Sequence, residues 1–126
     1  MPVAKGSAVH GEFSSSNASS LTEPQSRITL YGPASTSAVT LGASDYVVVT
    51  DVVITTGTSL TVTIFDGADA TPDAGEVIYK GTVNGTAQFS ALLTPHYCQV
   101  GTWPHVKTSG SGQVDVVLRG TLTTNL

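Results

Sequence analysis

The sequence predicts an all-β fold, a single antiparallel β-sandwich of jelly-roll type. Val and Thr alternate in short runs, Gly, Asn and Pro punctuate those runs at strand-sized intervals, and no stretch places apolar residues at helical spacing. With 126 residues the chain supports one domain and one modest core.

Residues 1–26 differ in character from the rest. They are Ser-rich and nearly uncharged, and their apolar residues Val3, Val9, Phe13 and Leu21 fit neither a twofold nor a 3.6-residue period. Such a segment cannot bury enough surface to order itself alone. It is therefore expected to be an extended N-terminal arm, read either as a loose tail or as a segment whose apolar anchors dock on a neighbouring subunit; the second is preferred because Phe13 and Leu21 serve no purpose in a solvated linker. Its removal should then leave residues 27–126 as a folded sandwich.

Within that domain the pattern predicts strands at 27–31, 38–41, 46–50, 52–56, 59–66, 77–82, 88–93, 100–108 and 113–123. Residues 59–66 alternate most clearly, with Leu60, Val62 and Ile64 on one face and Thr61 and Thr63 on the other. Residues 113–123 repeat this, with Val114, Val116, Leu118 and Leu122 facing inward and Val117 as an apolar exception on the outer face. Asp51 interrupts a run that is apolar on both faces, which suggests a bulge in a central strand. Thr56-Gly57-Thr58 and Asn84-Gly85 are expected to close tight hairpins, and residues 110–112 a third reversal. A jelly roll manages the edges of so many strands. An immunoglobulin-like sandwich is the alternative, but its Cys…Trp…Cys spacing is absent.

Charged residues make up 11% of the chain, against about 25% in average proteins. Thr and Ser replace them, so a neutral, hydroxyl-rich surface is expected. A net charge of −4 and five scattered basic residues, Lys5, Arg27, Lys80, Lys107 and Arg119, argue against a nucleic-acid partner. The single cysteine, Cys98, allows no disulfide within the chain. No basic-then-apolar leader opens the sequence and its apolar runs are too short to cross a bilayer, so no membrane partner is expected and synthesis in a reducing cytoplasm is. The sequons at Asn17 and Asn84 match by pattern in a chain where Ser and Thr abound.

The candidate sites are few. Asp66, Asp69, Asp73 and Glu76 crowd one loop that would suit Ca²⁺, yet their spacing is not that of an EF-hand, and an ordinary solvated connection has the same composition. His96, Cys98 and His105 are zinc-type ligands without a fourth partner, and Pro95 and Pro104 place both histidines at strand ends with partly exposed rings. A Cys98–His nucleophile pair lacks a residue spaced to orient the imidazole, so Cys98 reads as a small buried hydrophobe. Tyr97 and Trp103, with Tyr31, Tyr46, Tyr79 and Phe89, could stack on sugars or pack at subunit interfaces. No enzyme and no cofactor are expected.

The segments Ile54-Thr-Thr-Gly-Thr-Ser-Leu-Thr-Val-Thr-Ile-Phe-Asp-Gly-Ala-Asp69, Thr94-Pro-His-Tyr-Cys98 and Gly112-Gln-Val-Asp-Val-Val-Leu-Arg-Gly120 carry a resemblance. With the N-terminal segment they make the chain similar to the capsid decoration, head-stabilising or cement, proteins of tailed bacteriophages. That resemblance implies a non-enzymatic protein on the virion exterior, bound to the major capsid protein lattice, commonly as a homotrimer, with its arm reaching across neighbouring subunits. Tail and head-fibre components share the texture, and a carbohydrate-binding adhesin using Tyr97 and Trp103 is the rival from another class.

Overall fold

The computed structural model describes residues 7–32, 37–73, 76–89 and 94–124. They form two antiparallel sheets, and no α-helix occurs among them. The strands are β1 (Ser7–Ser15), β2 (Thr29–Tyr31), β3 (Asp45–Thr56), β4 (Leu60–Gly67), β5 (Val77–Val83), β6 (Thr86–Phe89), β7 (His96–Tyr97), β8 (Trp103–Thr108) and β9 (Val114–Thr124). The larger sheet runs β2-β1-β9-β3-β6, with β7 beside the first half of β3, and the smaller runs β5-β4-β8.

The extended arm is not what residues 7–26 form. Residues 7–15 are β1, paired along their whole length with β9 from Ser7 opposite Leu122 to Ser15 opposite Val114. Val9 and Phe13 lie in the core at 4% and 8% exposure, and Leu21 packs against it half-buried. The physical reason is visible in Val9-His10-Gly11-Glu12-Phe13: the alternation is that of a strand, but its middle inward position is a Gly, which hides the period. The boundary at residue 27 therefore cuts through the domain, and Val3 lies outside the described residues.

After β1 the chain crosses to the smaller sheet before returning. Ile28 N–H donates to Pro104 O and Val106 N–H to Ser26 O, so residues 26–28 extend the smaller sheet beyond β8. The chain then rejoins the larger sheet as β2. The four-strand path β1-β9-β3-β6 thus faces the path 26–28, β8, β4, β5.

The core lies between these faces. Val62 and Ile64 from β4, Val106 from β8, and Val49, Val52 and Leu118 from the larger sheet are fully buried there. In β3 the pairing with β9 shifts register between Val49 and Asp51. Strict alternation from Val49 would turn Asp51 inward. The extra residue sends Asp51 outward, opposite Arg119, and returns Val52 to the core.

Two expected hairpins are instead corners between sheets. Residues 57–59 join β3 of the larger sheet to β4 of the smaller, and Asn84-Gly85 joins β5 to β6 across the same gap, with Gly85 at φ 95°. The reversal at 110–112 likewise carries β8 to β9. Strands expected at 46–50 and 52–56 are one bulged strand. Of the one at 38–41 only a bridge between Ala38 and Tyr31 forms, and that at 88–93 is β6 as far as Phe89, the remainder lying outside the described residues.

Candidate functional site: two buried polar clusters

The alternation that sends Leu60, Val62 and Ile64 inward along β4 also sends Asp66 inward, where it is 1% exposed. A carboxylate in such a place needs partners. Oδ2 accepts from Gln99 N–H at 3.0 Å and from the Thr102 hydroxyl at 3.5 Å. Oδ1 is in close contact with His96 Nε2.

His96 sits in β7 opposite Val49, and Cys98 N–H continues that ladder to Val47 O at 2.9 Å. Residues two apart on a strand share a face, so His96 and Cys98 turn inward while Tyr97 between them points out, 68% exposed. The ligand-type atoms of Asp66, His96 and Cys98 all lie within 4.8 Å of one another. Burial, reinforced by the nearby Asp66 carboxylate, pushes the Cys98 thiol far above its usual range. A buried, protonated thiol is no nucleophile.

The second cluster lies on the outer face of the smaller sheet, beneath residues 23–27. His105 is fully buried and stacks on Phe65 at 5.3 Å. Its Nε2 is 3.0 Å from Gly67 O, a group that only accepts, so Nε2 carries the proton and Nδ1 accepts from the Ser26 hydroxyl at 2.7 Å. The Glu23 carboxylate lies 3.2 Å from the same Nε2 and also pairs with Arg27, whose guanidinium sits 4.8 Å over the Trp103 ring. Desolvation lowers the His105 pKa against the opposing pull of Glu23 and Gly67 O, and the ring is neutral. Ser26, His105 and Glu23 have the composition of a catalytic triad. Ser26, however, is 1% exposed, so no substrate reaches its hydroxyl, and the cluster is a lock holding residues 23–28 on β8.

These two clusters divide the three zinc-type residues that the sequence left without a fourth partner. His96 and Cys98 come together, but His105 does not join them and is fully buried instead of exposed at a strand end; Asp66 takes its place. The acidic loop does not converge. Asp66 turns into the core, Asp69 Oδ1 caps Thr71 N–H at 2.9 Å, and Glu76 Oε1 accepts from Asp73 N–H at 3.0 Å, which are bonds of an ordinary turn. Trp103 is half-buried under Arg27 on the smaller sheet, whereas Tyr97 is exposed on the larger one, 6.5 Å from Tyr46. They form no common platform. Lys80 of β5 and Lys107 of β8 flank Thr63 of β4 at the same register, so these two of the scattered basic residues share one row of the smaller sheet. The missed partner of His96 was signalled by the parity of Asp66 with Leu60, Val62 and Ile64. The Ser26–His105 pairing had no local signal, because 79 residues separate the two.

No protein-family model, curated protein or solved structure matches the chain.

Proposed function

We propose that this chain is a non-enzymatic structural protein of a virion, binding the outside of a phage capsid and bridging neighbouring capsid subunits as a homotrimer. We read the order β1-β9-β3-β6 facing 26–28, β8, β4, β5 as the double wrap of a jelly roll, an architecture used by viral capsid and lectin domains, and that order supports the proposal. Among the described residues the nucleophile candidates Cys98 and Ser26 are both buried, which favours a binding role over catalysis.

The observation that carries the proposal is the outer face of the larger sheet. Register places Val117 beside Val53, and Thr121 beside Val48 and Tyr97, with Arg119 opposite Asp51 between the two rows. Val117 is 44% exposed at mid-strand. On β1, Glu12 lies opposite Val117, and Asp115 shares the outward side of β9, so the face sets apolar and hydroxyl side chains among a few charges. Such an open sheet face suits contact with a flat shell, and it replaces the arm as the fastener because Val9 and Phe13 are occupied in the core. Threefold repetition of a weak contact can raise avidity by roughly 10² to 10⁴. Binding the assembled lattice and not its free subunits stabilises the shell by linkage.

Val117→Lys is the test. Its effect on folding should stay within about 0.5 kcal/mol, as for surface substitutions, while co-sedimentation with expanded empty heads is lost and the mass in solution of the unaltered protein is that of a trimer. A wild-type protein that ignores heads, or a Val117→Lys variant that still saturates them, refutes the assignment. Exposed Tyr97 beside half-buried Tyr46 favours one alternative, a sugar-stacking adhesin. Glycan binding abolished by Tyr97→Ala would select it.

A further inference from the structure

We infer that Asp66, His96 and Cys98 form a zinc site, with water as the fourth ligand, that ties the two sheets together at one end of the sandwich. This does not depend on the proposed function. The three donors come from both sheets: Asp66 from the smaller, His96 and Cys98 from one segment, β7 and its extension, beside β3 in the larger. Their ligand atoms nevertheless gather within 4.8 Å.

The carboxylate is already oriented as a one-point donor. Gln99 N–H and the Thr102 hydroxyl hold Oδ2, which leaves Oδ1 directed at the cluster. Such outer-shell bonds accompany ligating carboxylates and set their direction. His96 presents Nε2, and backbone pairing to Val49 and Val47 holds His96 and Cys98 on one face.

Tetrahedral zinc with bonds of about 2.0–2.3 Å puts its ligand atoms roughly 3.3–3.6 Å apart. The His96–Asp66 contact must open and the sulfur draw in, changes within reach of side-chain rotation. Binding converts the Cys98 thiol to thiolate and releases its proton to water, while His96 binds as the neutral ring. The mixture of sulfur, nitrogen and oxygen donors selects zinc or cobalt over the hard cations Ca²⁺ and Mg²⁺. The His96 side chain is 20% exposed, so the metal and the fourth ligand enter from that side.

The test is titration of the chelator-treated full-length chain with Co²⁺ and then Zn²⁺. One Co²⁺ per chain should bind with a thiolate-to-cobalt charge-transfer band, Zn²⁺ should displace it, and zinc should raise the melting temperature. Because Cys98 is the only cysteine, that band has no other origin. Cys98→Ser should abolish it. If Cys98→Ser does not fold, His96→Ala serves, with affinity lowered at least about tenfold, the loss typical even of outer-shell partners. Absence of the band with no melting shift at millimolar zinc overturns the assignment, and so does undiminished binding in His96→Ala.

Discussion

Phe13→Ala separates a core strand from a docking arm. Phe13 faces inward from β1 opposite Val116 of β9 and is 8% exposed. Truncating a buried Phe to Ala costs about 3–5 kcal/mol in lost transfer energy and residual cavity. A domain of this size has only about 5–15 kcal/mol in total. With a urea dependence near 2 kcal/mol per molar, inside the usual range of about 1–3, the unfolding midpoint should fall by roughly 1.5–2.5 M. Trp103 is the sole tryptophan and lies half-buried against the core, so its fluorescence reports the transition. An arm anchor waiting for a partner would shift the midpoint by no more than roughly 0.25 M, the equivalent of about 0.5 kcal/mol. A shift that small would refute the placement of β1 inside the sandwich. By the same logic, deletion of residues 1–26 removes the whole strand beside β9 and should leave no cooperative unfolding transition, the reverse of what a separable arm implies.

Two further outcomes follow from the geometry. His105 is neutral when buried, and its pKa is lowered from 6.5 on folding, so the unfolded chain binds the extra proton first as pH falls. Stability should therefore be level above about pH 7 and decline as pH drops through 6.5 toward 5, before ordinary carboxylates titrate near 4; urea midpoints that are flat or rising from pH 7.5 to 5 would contradict this. Gly120→Ala should abolish the folded state, read by circular dichroism and the loss of a thermal transition, because a Cβ there runs into the Val48 carbonyl oxygen, which is backbone and cannot rotate away. A cost within the usual overpacking range of about 1–3 kcal/mol would mean that β9 and β3 separate more easily than their pairing implies.

Much of the fold can be read along the chain because strand alternation is a local property. The inward faces of residues 59–66 and 113–123, the bulge at Asp51 and the positive φ at Gly85 all follow from neighbours in sequence. The same parity reaches Asp66 and already requires a buried partner for it. β1 escaped because a Gly occupies its middle inward position, and a two-residue strand such as β7 is too short to carry a period.

The order of residues by itself determined that the chain is all-β, where most strands lie, which side chains face inward in the clearly alternating strands at 59–66 and 113–123, and that charge is scarce. Only the tertiary structure decided which sheet each strand joins, so that apparent hairpins at Gly57 and Gly85 became corners and the N-terminal segment became a core strand. It also decided that His96 and Cys98 meet Asp66 while His105 meets Ser26. The physical reason is that a period of two specifies a face but not a neighbour: the partner is chosen by packing two sheets over one core, and that choice joins residues far apart in the chain.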